Sequence, residues 1–187
     1  MTPAGPGELL QAIVAALNTA AIPHMVVGSF ASTFHGEPRT TQDLDLVIDP
    51  TLAQLDQLLA QLPVDQYYVD ADVARDALRR RSMFNVIEMT TGWKLDLVIR
   101  KARPFSFAEL GRRQHVTMMG IEVDTATAED TIVAKLEWAK QSRSERQLED
   151  VAGILRVRGG DLDVAYIERW VGDLALEEQW RDAKART

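Results

Sequence analysis

The segment DLDLVID, from Asp43 to Asp49, alternates with a period of two. That is the period of a β-strand, on which successive side chains point to opposite faces. Leu44 and Leu46 therefore share one face, and Asp43 and Asp45 share the other. An apolar strand that carries two carboxylates on one face poses a physical problem. Burying a carboxylate is costly unless it is paired or binds a metal, and two side by side repel. Any fold of this chain has to supply the compensation. A second segment, KLDLVI, repeats the context: Asp96 lies between Leu95 and Leu97, ahead of Val98 and Ile99. If the two strands are neighbours, Asp43, Asp45 and Asp96 converge. Hard oxygen ligands of this kind suit Mg²⁺ or Mn²⁺, and a bound divalent ion is the simplest compensation. A D-x-D pattern by itself is common and usually marks a solvated strand end, so the flanking sequence must carry the argument further.

The flanking sequence does so within about twenty residues. HMVVGSF reads as a short buried strand that ends at Gly28, and SFASTFHG as one or two helical turns stopped by Gly36 and Pro38. Gly28 and Ser29 thus sit at a strand-to-helix junction. Free backbone N–H groups and the helix dipole attract phosphate there, and glycine permits close approach. Arg39 adds a fork-shaped cation suited to phosphate.

The pattern Gly28-Ser29, then Asp43 and Asp45, then Asp96 resembles the nucleotidyltransferase superfamily typified by DNA polymerase beta. More narrowly, GSFASTFHGEPRTTQDLDL resembles the AbiEii-like branch, with its Arg-x-Thr-x-Asp-x-Asp sequence at Arg39, Thr41, Asp43 and Asp45. That branch includes toxins of type IV toxin–antitoxin systems. AKLEWAKQSRSERQLEDVAGIL looks like the branch's helical segment, through Lys135, Arg143 or Arg146, and Asp150. The resemblance implies a mixed α/β (α+β) sheet flanked by helices, with a helical C-terminal region. It implies transfer of a nucleoside monophosphate from a nucleoside triphosphate (NTP), with Mg²⁺ or Mn²⁺ on Asp43, Asp45 and Asp96. Gly28, Ser29, Arg39, Thr41, Lys135 and Arg143 or Arg146 would contact the nucleotide. The implied acceptor is RNA, such as a tRNA 3′ end, and an antitoxin protein is an implied partner. A protein hydroxyl or a small molecule such as an antibiotic would use the same core. So would a regulatory module that binds nucleotide without turnover.

The rest of the chain fits one such protein. Leu9, Leu10, Ile13, Val14 and Leu17 recur at helical spacing, and FNVIEMTTGWKLDLVIR reads as a hairpin around Thr91-Gly92. HVTMMGIEVDT reads as a second hairpin, around Gly120. Capping pairs are expected at Thr51/Gln54, Thr127/Asp130 and Ser144/Gln147. The expected organisation is an α/β core over 1–125 and a helical region over 126–187. The 187 residues carry a net charge of −7 and no cysteine. The charge argues against binding nucleic acid by bulk attraction, and thiolate chemistry is excluded. Arg75, Arg79, Arg80, Arg81, Lys94, Arg100, Lys101, Arg103, Arg112 and Arg113 make the middle of the chain locally basic. They read as a solvated face or, more sharply, as a contact for a phosphate backbone. His24, His35 and His115 lack metal-ligand spacing. Phe105, Phe107, Trp138, Trp170 and Trp180 read as core. No basic leader and no span of ~18 apolar residues is present, so the expectation is a cytoplasmic protein with no membrane partner.

Overall fold

The computed structural model describes residues 5–41 and 43–187. The first four residues, part of the stretch read for a leader, and Gln42 lie outside them. Seven strands form one mixed sheet: β1 (His24–Val27), β2 (Asp43–Ile48), β3 (Tyr67–Tyr68), β4 (Met83–Glu88), β5 (Lys94–Ile99), β6 (Gln114–Met118) and β7 (Ile121–Thr125). Their order is β3-β4-β5-β2-β1-β7-β6. β2 and β5 run parallel, as do β1 and β7, while β3/β4, β4/β5 and β6/β7 are antiparallel. The helices are α1 (Pro6–Thr19), α2 (Gly28–His35), α3 (Leu52–Ala60), α4 (Ala71–Arg80), α5 (Pro104–Gly111), α6 (Ala128–Ser142), α7 (Glu145–Arg158), α8 (Val164–Asp173) and α9 (Glu177–Lys184). None among the described residues is long and apolar enough to cross a membrane.

The chain divides into two compact units. The first, residues 1–26 and 41–125, holds the sheet with α1, α3, α4 and α5. Its buried face carries Leu44, Leu46 and Ile48 from β2, Leu95, Leu97 and Ile99 from β5, and Phe84 and Val86 from β4. Helices α1, α3 and α4 pack on one another and against β7 and β4, burying Leu10, Ile13, Leu17, Leu55, Leu58, Ala74 and Ala77. Both hairpins form. Thr51 and Gln54 close a full capping box on α3.

The second unit, residues 27–40 and 126–187, is helical. Helix α2 packs with α6 and α7, and α8 and α9 pack on the same pair. Thr127 caps α6 by accepting from the Asp130 backbone N–H, and Asp163 caps α8 at Tyr166. The expected cap at Ser144 does not form: its hydroxyl makes no capping bond, and the Gln147 N–H donates to the Ser144 carbonyl at 3.2 Å instead. Gly36 ends α2 against α7. A Cβ there would lie 2.8 Å from the Ile154 nitrogen, so only glycine allows this approach. Among the aromatics, Phe105, Trp170 and Trp180 are buried as expected, but Phe107 and Trp138 are more than half exposed. The Phe107 ring lies 3.7 Å beneath the Arg100 guanidinium, and this cation–π contact holds it outside the core.

His35, at the end of α2, is buried. Its Nε2 lies 2.7 Å from the Ala126 carbonyl, to which it donates, while Nδ1 has no hydrogen-bond partner among the described residues. Burial lowers its pKa from the ordinary 6.5 and Arg158 pushes it further down, against opposing effects of the Ala126 carbonyl and Glu129. The folded state therefore holds the His35 proton less tightly than the unfolded chain, which takes up its proton first on acidification. The stability it secures is fully present above pH 6.5 and is lost as the pH falls toward the lowered folded value. Urea midpoints of the wild type should drop between about pH 7.5 and about pH 5.5. Those of His35→Gln, which keeps an N–H donor without titrating, should be flatter over that window. Equal slopes would show that His35 does not set the acid limb.

Candidate active site

The sheet unit gathers the carboxylates. In the parallel pairing of β2 with β5, Asp45 is the direct partner of Asp96 and Asp43 the direct partner of Lys94. In the antiparallel pairing of β4 with β5, Asn85 is the partner of Asp96. With a period of two, burying the leucines of β2 and β5 turns Asp43, Asp45, Lys94, Asp96 and Asn85 to the other face. Asp43 is largely exposed, Asp45 is half-buried and Asp96 is buried. Both oxygens of Asp96 are engaged. Asn85 Nδ2 donates to Oδ1, and Lys94 Nζ lies 3.2 Å from Oδ2 and 4.0 Å from Asp43 Oδ1. Thr41 sits at the entry of β2, where the Asp43 N–H donates to its hydroxyl at 3.4 Å.

Among the described residues, no three His, Cys, Asp or Glu side chains form a ready-made metal cage. Asp45 and Asp96 are register partners, and Lys94 supplies a positive charge beside Asp96 and Asp43. The donor set itself, carboxylate oxygens on a shared face of the sheet, is of the kind that binds Mg²⁺ or Mn²⁺. It fits such an ion, with Asp45 and Asp96 directly opposite each other in the β2–β5 register.

The helical unit gathers the cations. Gly28 opens α2 with a φ of +65°, a left-handed conformation that favours glycine, and the helix has no side-chain cap at Val27. Its first N–H groups are the kind of donor an anion uses. Arg39 Nη2 donates to Ser29 Oγ at 2.5 Å. Arg39 also clamps Asp150 through two bonds, Nε to Oδ1 at 2.7 Å and Nη2 to Oδ2 at 3.1 Å. Lys135 Nζ donates to Asp150 Oδ2 at 2.7 Å. The side chains of Lys135 and Asp150 are only 5% and 6% exposed, so Lys135 is a buried ion-pair partner and not a surface lysine. Arg39 and Lys135 thus share the Asp150 carboxylate. Both remaining arginine candidates are exposed. Arg146 lies one turn before Asp150 on α7, on the same helix face. Arg143 ends α6 in the left-handed region and lines an open cleft of about 810 Å³ with Lys140, Glu145 and Arg181.

The basic middle of the chain is largely ion-paired. Arg79 and Arg80 both pair with Asp76 on α4, Arg75 with Asp56, Arg100 with Asp49 and Arg113 with Asp124. Arg81 turns back to donate to the Arg100 carbonyl. This matches the solvated-face reading of the arginine run. Two partners escaped the sequence reading. Lys94 was detectable, because it stands two residues before Asp96 and so shares its face. Asn85 required the hairpin register.

No protein-family model matches the sequence, and no curated protein matches it. Solved structures do resemble it in fold. The antibiotic-resistance factor ANT(2'')-Ia aligns with a TM-score of 0.60 at 15% identity, covering 93% of this chain and 95% of that one. An antigenic nucleotidyltransferase-like protein from Paracoccidioides brasiliensis aligns at 0.58 and 15% identity, covering 95% and 92%. The lincosamide antibiotic adenylyltransferase LnuA, with lincomycin bound, aligns at 0.54 and 10% identity, covering 83% and 99%. The chain has the nucleotidyltransferase fold.

Asp150 gives this cluster a measurable signature. Burial pushes its carboxyl upward, but the bonds from Arg39 and Lys135 outweigh that and hold it below the ordinary 3.8. Its contribution to stability is thus complete above about pH 4 and is lost as the pH falls through the lowered folded value. Asp150→Asn removes the carboxylate that Arg39 and the buried Lys135 share, and should cost about 3–5 kcal/mol at neutral pH by urea denaturation. A loss below about 1 kcal/mol would mean that the pair is solvated and weak.

Proposed function

We propose that the protein is a metal-dependent nucleotidyltransferase that moves a nucleoside monophosphate from an NTP to an acceptor hydroxyl. The observation that carries this reading is the register of Asp45 with Asp96 on one face of a nucleotidyltransferase-fold sheet. In this reading Asp43, Asp45 and Asp96 hold Mg²⁺ or Mn²⁺. When bound, such an ion neutralises phosphate charge and stabilises the entering and leaving oxygens. The first N–H groups of α2 at Gly28 and Ser29 take the phosphates, with Arg39 beside them and Thr41 leading into β2. Lys135 and Asp150 hold the Arg39 fork in position, and Arg146, or Arg143, supplies a further phosphate contact. The acceptor hydroxyl attacks the α-phosphorus in line, its proton passes to a carboxylate oxygen of Asp96, and pyrophosphate leaves. Positioning and charge neutralisation supply most of the acceleration.

The acceptor in this reading is RNA, such as a tRNA 3′ end, and an antitoxin protein is the partner, as the AbiEii-like resemblance of Arg39, Thr41, Asp43 and Asp45 implies. A second reading takes a small-molecule hydroxyl as acceptor. Two observations favour it: the pairing of Arg75, Arg79 and Arg80 with aspartates, and the fold shared with ANT(2'')-Ia and LnuA, named as an antibiotic-resistance factor and a lincosamide antibiotic adenylyltransferase.

Incubation with each α-labelled NTP, Mg²⁺ and a cell extract separates these readings, because label enters RNA, protein or a small molecule. Asp45→Asn and Asp96→Asn should each lower transfer by at least about 100-fold, with folding retained by circular dichroism. Label transfer that survives both substitutions, or that proceeds equally in EDTA, would overturn the assignment.

A further inference from the structure

Lys94 stands where a metal-binding face would be expected to carry no cation of its own. It precedes Asp96 by two residues on β5, so both side chains share one face of the sheet, and its Cα partner across the sheet is Asp43. Its ammonium lies 3.2 Å from Asp96 Oδ2 and 4.0 Å from Asp43 Oδ1. Asn85 already occupies Asp96 Oδ1. The oxygen that Asp96 could offer an ion on its other side is therefore held by Lys94. The two ends of this pair differ in burial: the Lys94 side chain is 40% exposed and the Asp96 side chain 9%.

We propose that Lys94 is the built-in counter-ion of the carboxylate face: it holds Asp96 and Asp43 together in the metal-free protein, is displaced when a divalent ion takes Asp96 Oδ2, and so limits how tightly that ion binds. The proposal rests on the nucleotidyltransferase reading of Asp43, Asp45 and Asp96. A divalent ion and an ammonium cannot share one carboxylate oxygen at contact distance without strong like-charge repulsion. Lysine suits the exchange. Its charge is compact and strongly hydrated and rides on a flexible stem, and a side chain already 40% exposed can swing into water at small cost. Arginine in the same place would clamp the carboxylate through a planar fork and release it less readily. The counter-ion relieves the repulsion between Asp43 and Asp96 without a metal, and it makes metal uptake a competition between two cations.

The test uses Mn²⁺ alone as the probe, with calorimetry or electron paramagnetic resonance at constant ionic strength, and thermal melts in EDTA and in Mn²⁺. Lys94→Met should bind Mn²⁺ about three- to tenfold more tightly than the wild type. It should melt lower in EDTA, and that deficit should close once Mn²⁺ is added. Lys94→Arg should restore the EDTA melting temperature without tightening Mn²⁺. Lys94→Gln, a more polar replacement, repeats the binding measurement if the Met variant fails to fold. If Lys94→Met or Lys94→Gln binds Mn²⁺ no more tightly than the wild type, Lys94 is not the competing cation, although the metal-binding reading stands. If neither the wild type nor a folded Lys94 variant binds Mn²⁺, the metal-binding reading and this proposal fall together.

Discussion

The parallel pairing of β2 with β5 is the constraint on which the sheet unit depends. Its register matches Leu44 with Leu95, Leu46 with Leu97 and Ile48 with Ile99, all of them buried. Because side chains alternate, the same register cannot bury the leucines without bringing Asp45 opposite Asp96 and Asp43 opposite Lys94. A slip of one residue would turn the leucines outward and the carboxylates into the core. The apolar core therefore holds the charged face in alignment, and packing and chemistry are two sides of one hydrogen-bonded ladder.

The helical unit meets a related problem by another route. Asp150 is buried on α7, and such a carboxylate needs partners. Lys135 from α6 and Arg39 from the segment after α2 supply them, and Arg39 carries the link on to Ser29. Gly36 makes room for this arrangement, because its missing Cβ lets the end of α2 lie against the backbone of Gly153 and Ile154. One buried anion on α7 thus ties α6 to the segment after α2, whose Arg39 is 111 residues away. Arg39 also sets a cation beside the N-terminus of α2, which has no side-chain cap, an electrostatic setting that phosphate favours.

Several features were legible before any coordinates. The strand period of DLDLVID marked β2, and its echo in KLDLVI marked β5. Turn residues located both hairpins, and capping residues located the starts of α3 and α6. These are local signals, set by side chains within a few residues of one another. Where a second local partner competed, the reading failed: Ser144 stands at the start of α7, but its carbonyl and not its hydroxyl receives the Gln147 amide. Phe107 and Trp138 read as core by composition, yet lie outside it. Hydrophobicity alone does not say which side of a short helix meets the core.

What the sequence by itself determined is the inventory and its facing: three aspartates on two strands of like pattern, a Gly-Ser junction, and an arginine and a lysine within helical segments. Only the tertiary structure decided which charges neutralise which. It set Lys94 against Asp96 and Asp43, Lys135 and Arg39 against Asp150, and Arg79 and Arg80 against Asp76. It also grouped α2 with helices that begin more than ninety residues later in the chain. The physical reason is range. Periodicity and capping are fixed over a few residues of backbone, whereas a buried charge is satisfied by whichever opposite charge the packing of distant segments brings within hydrogen-bond reach.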